Sequence, residues 1–128
     1  MTNDDLKLRT KKFAIRILKL TDALPKSVSG RTIGGQLTRS GTSVAANYRA
    51  ACRAKSTADF ISKLATVEEE ADETLFWLEL AAESGVMPGK KLELLMQETE
   101  ELLKITVASI RTVRERQNNP KSQIRNPK

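Results

Sequence analysis

Apolar residues recur along this chain at spacings of three and four, and glycine and proline punctuate them at a few points. Phe13, Ile17, Leu20 and Leu24 form one helical stripe, widened by Leu6, Leu8 and Leu18. Asn3 or Asp4 supplies an N-cap. Pro25 sets the end near Asp22 to Leu24, because the residue before a proline resists the helical region. A second helix reads from near Gly30 to Arg53, with Ile33, Leu37, Val44, Tyr48 and Cys52 along one side and Ala45 and Ala51 beside them. Its other positions are small: Gly34, Gly35, Ser40, Gly41, Ser43 and Ala46. Each interior glycine costs up to about 1 kcal/mol against alanine, so several together point to close backbone approach by another helix. A loop over residues 30–35 with a later helix start is the competing reading.

Ser56 followed by Asp59 resembles a capping box and opens the third helix. Phe60, Leu64, Val67, Ala71, Leu75, Leu78 and Ala82 form its main stripe, with Ile61, Ala65, Phe76 and Leu80 flanking it. Gly85 suits the position after a helix end, and Pro88 the first turn of the next helix. The fourth helix carries Leu92, Leu95, Thr99, Leu102, Thr106, Ile110 and Val113 and ends near Gln117. No segment alternates with period two, so no sheet is expected. Short connections favour antiparallel neighbours. The expected fold is all-α, an up-down-up-down four-helix bundle over residues 1–117, followed by a disordered basic tail over 118–128.

Charge divides the chain further. Residues 1–31 carry eight basic and three acidic side chains, and residues 32–57 carry four basic and none acidic. Residues 58–110 reverse this with four basic and twelve acidic, and residues 111–128 return to six basic and one acidic. The net charges are therefore +5, +4, −8 and +5, within an overall +6. A basic and an acidic half imply two surfaces with different tasks. Solvated helix faces plus a basic tail are the plain alternative.

The 128 residues include no histidine and one cysteine, Cys52. Those two facts close off Ser-His-Asp, Cys-His and Glu-x-x-His di-metal chemistry within one chain, as well as an intrachain disulfide. The expectation is a non-enzymatic protein without cofactor or metal. Glu68-Glu69-Glu70 with Asp72-Glu73 is the densest carboxylate cluster, and without histidine it reads as ion pairing rather than a metal site. Cys52 reads as a small core residue. Ser40 and Ser43 have no base in pattern. Neither an apolar run near 20 residues nor a secretory signal at Met1–Asp5 is present, so the expected location is cytoplasmic, away from membranes.

The segment Gln36-Leu37-Thr38-Arg39-Ser40-Gly41-Thr42-Ser43-Val44-Ala45-Ala46-Asn47-Tyr48-Arg49-Ala50-Ala51 resembles the second helix of the bacterial four helix bundle protein family. The founding members of that family are encoded within intervening sequences of large-subunit ribosomal RNA genes. Ser56 to Leu64 and Glu70 to Leu80 resemble its third helix. The similarity covers roughly residues 8 to 115. Many members carry Glu where this chain has Ala50. The resemblance implies an antiparallel bundle, a homopentamer, and kinship with the accessory variability determinants of diversity-generating retroelements. Those are basic pentamers that bind nucleic acid and a reverse transcriptase. The partners it implies are thus further copies of the chain, RNA or DNA, and a reverse transcriptase.

Two residue sets follow. Lys7, Arg9, Lys11, Lys12, Arg16 and Lys19 on the first helix, with Arg111, Arg114 and Arg116 on the fourth, are the candidate nucleic-acid contacts. If the first and fourth helices are neighbours, these basic ends merge into one surface. With few aromatics off the core stripes, binding should be directed at the backbone, sequence-tolerant and sensitive to salt. Arg39, Asn47, Arg49, Asp72, Glu73 and Trp77 are the candidate subunit-interface set. In an antiparallel hairpin Arg39 comes level with about Asp72 and Arg49 with about Asp59, for pairing within or between subunits. Trp77 lies off the main stripe, facing either a partner subunit or the bundle edge. A protein-binding adaptor with no nucleic-acid role is the alternative function.

Overall fold

The computed structural model describes residues 1–118. The expectation of a disordered tail concerns residues that lie outside that range, apart from Asn118, which ends the fourth helix. Among the described residues there are four helices, α1 (Asn3–Asp22), α2 (Val28–Cys52), α3 (Thr57–Glu83) and α4 (Gly89–Asn118), and no strand.

Local chemistry accounts for the ends. Thr2, one residue before the predicted cap, caps α1 in a full capping box with Asp5. The backbone N–H of Thr2 donates to Asp5 at 3.0 Å, and this bond holds the Asp5 carboxyl below its usual range. Ser27 caps α2 through Gly30 N–H, so that helix starts two residues before the predicted point and residues 30–35 are helical rather than a loop. Ser56 caps α3 as its spacing predicts. The Asp59 carboxylate, however, receives the N–H of Lys55 at 3.4 Å, a residue earlier than a capping box requires. Gly85 takes a positive φ of 78° just beyond α3. Pro88 precedes α4 and its carbonyl accepts from Lys91.

Each helix packs on its chain neighbours, and α4 closes lightly on α1; the diagonal pairs do not meet. This is the up-down-up-down bundle. Its core holds Phe13 and Ile17 of α1, Leu37 and Val44 of α2, Leu64, Val67 and Leu78 of α3, and Leu92 and Leu102 of α4, all essentially buried. Thr99 and Thr106 are buried too, their hydroxyls returned to the carbonyls of Leu95 and Leu102.

The small residues of α2 serve close packing on both sides. A Cβ at Gly41 would stand 2.8 Å from both γ carbons of Ile17. On the α3 side, Ser40 and Thr74 are fully buried with their hydroxyls 2.9 Å apart, and Thr74 also donates to the Glu70 carbonyl. Both the helix–helix approach and the buried hydroxyl pair need short side chains.

Two predicted stripes are divided: Leu6 joins the core and Ile61 packs against it, while their other large members point outward. Leu8 and Leu18 do not widen the α1 stripe; they are exposed, as is Ile15. Phe76 and Leu80 of α3 are exposed as well, half-exposed in the case of Phe76. The reason is geometric. Helices α1 and α3 are each flanked by two neighbours, which cover one broad face, and at 100° per residue these positions point outward.

Candidate nucleic-acid interface

Helix α1 has 20 residues and α4 has 30. They are pinned together where Arg9 makes two hydrogen bonds of 2.8 Å to the Glu98 carboxylate. From that level α4 runs on for 20 residues to Asn118 while α1 ends at Asn3. Asn3, at the start of α1, nevertheless lines one cleft with Val113, Arg116 and Gln117 of α4 and accepts from Tyr48 of α2. One end of the bundle is therefore built from the start of α1, the C-terminus of α2, the N-terminus of α3 and the C-terminus of α4.

This end is basic. It gathers Arg49, Arg53, Lys55, Lys63, Arg111, Arg114 and Arg116 against Asp59, Glu68 and Glu115, with Asp4, Asp5 and Lys7 at the start of α1 beside them. Lys55 and Arg116 line one cleft with Phe60 and Cys52, of about 590 Å³. Lys55 also lines a second cleft, on the α2–α3 side, with Arg49, Arg53 and Lys63. None of the seven cations forms an ion pair among the described residues. Like charges held together without partners raise the local positive potential, which attracts phosphate.

The predicted nucleic-acid set does not stay together. Lys7, Lys11, Lys12, Arg16 and Lys19 are exposed on α1, and Arg111, Arg114 and Arg116 are exposed on α4. The two helices are neighbours, but they run in opposite directions. Asn3 shares a cleft with Val113 and Arg116, so Lys7 lies toward Arg111, Arg114 and Arg116, whereas Arg16 and Lys19 run away from them toward the other end of the bundle. The predicted merging of the two basic ends therefore holds for the start of α1 and not for Arg16 and Lys19. Arg9 is also withdrawn from the free basic face. Its half-buried guanidinium is held by Glu98, which raises its pKa further above an already high value.

The predicted interface set is also divided. Arg39 bonds to Glu70 at 3.3 Å and to Glu73, pinning α2 to α3 within one chain. The level is as predicted, but Asp72 points outward and takes no part. The Glu73 carboxylate also accepts from Trp77 Nε1 at 3.2 Å, and Phe76 stands edge-on to that indole with ring centres 5.0 Å apart. Asn47 turns back along its own helix to the Ser43 carbonyl and hydroxyl, both at 2.9 Å, so within the chain it does not bridge the bundle. Arg49 and Asp59 line the same cleft without pairing.

The carboxylate run of α3 is split by the helix. Glu70 and Glu73 turn to Arg39, Glu68 turns toward Arg111 and Arg114, and Glu69 and Asp72 face outward. No three cysteine, aspartate or glutamate side chains among the described residues come together as metal ligands. The buried Tyr48 phenol donates to the Asn3 side chain at 3.2 Å, and burial pushes its pKa well above the usual range. It ties α1 to α2 and is not poised for proton transfer. No helix among the described residues is long and apolar enough to cross a membrane.

Sequence reasoning left Arg53, Lys55, Lys63 and Glu98 without a role. The acid-free stretch 32–57 was the available signal for the first two. Nothing local could place Lys63 beside them or Glu98 against Arg9.

A compact antiparallel four-helix bundle with one basic end defines the class. The chain belongs to the 23S rRNA-intervening sequence protein family, whose sequence model matches residues 5–108. A crystal structure of a protein of unknown function from the S23 ribosomal protein family of Bacteroides thetaiotaomicron is similar, with 34% identity and a TM-score of 0.79. The match covers 87% of this chain and 99% of that one. No curated protein matches the sequence.

Proposed function

We propose that the protein is a non-enzymatic homo-oligomer that holds nucleic-acid backbones, without sequence preference, on its basic end. The observation that carries this is the segregation of charge. Seven cations that form no ion pair among the described residues sit at one end, while the outer face of α3 carries Glu69, Asp72, Glu79 and Glu83. Cations gathered in this way do nothing for the stability of the bundle and repel one another, whereas a phosphate backbone neutralises them. The family's description makes ribosomal RNA the first nucleic acid to try.

Assembly rests on the two apolar surfaces left outside the core. Leu8, Ile15 and Leu18 on α1 are flanked by Lys7, Lys11, Lys12 and Lys19; Phe76 and Leu80 on α3 are flanked by carboxylates. Helices α1 and α3 are diagonal, so the two faces look away from each other and suit a head-to-tail contact between copies. Such a contact closes into a ring, five-membered in our proposal, and repeats the basic end around it, which raises apparent affinity. The α1 lysines then rim the subunit contact rather than the nucleic acid.

Filter binding with ribosomal RNA, single-stranded DNA and duplex DNA tests the binding. The logarithm of affinity should fall linearly with the logarithm of salt concentration. Replacing Arg111, Arg114 and Arg116 by Gln should weaken all three ligands alike and shallow that slope, and replacing Lys12 and Lys19 should change binding only through assembly. No retention of any nucleic acid at about 50 mM salt would reject this reading in favour of a protein-binding adaptor. Light scattering should return an oligomer for the native chain and a monomer of unchanged helicity for Phe76→Ser/Leu80→Ser; a native monomer rejects the ring.

A further inference from the structure

We propose that the cleft between the C-terminal turn of α2 and the start of α3 is a seat for a single phosphate group. This deepens the nucleic-acid reading above by naming where one backbone phosphate docks. The cleft has a volume of about 410 Å³. Arg49 and Arg53, one helical turn apart, form one wall. Lys63 of α3 forms the other, and Lys55 in the connecting turn closes the end.

The floor is Ala46 and Ala50, which present nothing beyond a Cβ. An anion entering between the long cationic side chains therefore meets methyl groups and has room to reach several donors at once. Two guanidinium groups supply planar forks that match phosphate oxygens, and two ammonium groups supply compact charge. Asp59 is the one carboxylate in the cleft, and its side chain receives the Lys55 backbone N–H and makes no ion pair with the four cations. The N-terminal end of α3 lies at the same edge and adds the positive pole of its dipole. Four cations that form no ion pair among the described residues, beside one carboxylate and over a floor with no side chain to clash, are an arrangement that folding does not require.

The decisive substitution is Ala50→Glu, which plants a carboxylate on the floor without removing any cation. Ala50→Gln has nearly the same size and no charge, so it separates charge from bulk and checks that the helix tolerates a long side chain. The full-length protein is titrated calorimetrically with inorganic pyrophosphate and, separately, with a short oligothymidylate. The native chain and Ala50→Gln should bind both. Ala50→Glu should weaken pyrophosphate at least about tenfold and shallow the salt slope for the oligonucleotide by about one phosphate. Lys90→Gln/Lys91→Gln, which removes two cations at the opposite end, should leave pyrophosphate binding unchanged.

Equal pyrophosphate binding by the native chain and Ala50→Glu overturns the proposal, as does loss of binding in Ala50→Gln to the same extent as in Ala50→Glu. Failure of the native chain to bind pyrophosphate overturns it too. Pyrophosphate binding that Ala50→Glu abolishes, with no oligonucleotide binding, upholds the seat as a site for free phosphate and rejects the nucleic-acid reading. Oligonucleotide binding untouched by Ala50→Glu rejects the seat as a backbone contact and leaves the basic end to Arg111, Arg114 and Arg116.

Discussion

Replacing Gly41 by alanine should destabilise the bundle, whereas the same change at Gly35, nearly two turns earlier in α2, should stabilise it. Intrinsic propensity favours alanine at both positions by up to about 1 kcal/mol. At Gly35 nothing lies within 4 Å of an added Cβ, so that gain stands alone. At Gly41 the new methyl would sit 2.8 Å from Cγ1 and Cγ2 of Ile17 and 3.1 Å from its Cβ. Ile17 is β-branched, fully buried and stiff at χ1, and both branches are in the way, so no rotamer relieves the contact. Overpacking of this kind costs about 1–3 kcal/mol. The net effect is a loss of about 1 kcal/mol, or roughly 4 °C in melting temperature for a domain of this size.

The sharper test is a double-mutant cycle. Ile17→Ala alone should cost about 2–5 kcal/mol. In that background the obstructing branches are gone, and Gly41→Ala should become stabilising by up to about 1 kcal/mol. Urea melts followed by circular dichroism, at one fixed protein concentration because an oligomer's stability depends on it, give all four corners. If Gly41→Ala matched Gly35→Ala in the native background, or remained destabilising in the Ile17→Ala background, the account of α2 as a helix kept narrow for α1 would be wrong.

Arg9→Met should leave the partly buried Glu98 carboxylate unpaired and cost about 1–2 kcal/mol; the effect should nearly vanish when Glu98 is also replaced by Gln, and faster hydrogen exchange should be confined to α1 and the facing half of α4. Asp5 has a folded-state pKa below its unfolded value, so its contribution to α1 is present above the unfolded value of 3.8 and is lost as pH falls through the folded one. Amide shifts of Thr2 and Asp5, the two partners of the capping box, should therefore move through an acid transition centred below pH 3.8 in the native chain that is lost in Asp5→Asn.

Most of the secondary structure was legible because its causes are local. Ser56, Gly85 and the prolines act on backbone groups within a few residues of themselves, and a stripe of spacing three and four needs only one apolar neighbour to bury it. The stripe Leu92, Leu95, Thr99, Leu102, Thr106 and Ile110 is buried as predicted, even through its two threonines. Where the local signals competed, the resolution came from a single side chain. Ser27 caps α2 ahead of Gly30, and that hydroxyl decides between a loop and a helix over residues 30–35.

Tertiary structure alone decided which apolar residues stay outside. Phe76 is as hydrophobic as Phe60, yet the chain neighbours of α3 cover one and not the other. It also decided levels along the bundle axis, which no residue's immediate sequence records. Arg9 meets Glu98 across 89 positions, and antiparallel packing carries Arg16 and Lys19 of α1 away from the arginines of α4. The turn between α2 and α3 brings Lys63 to Arg49 and Arg53. Composition and periodicity determine how much charge a helix carries and on which face. Which charges share a surface follows from antiparallel packing, because the direction and register of each helix are set by the helices it packs against.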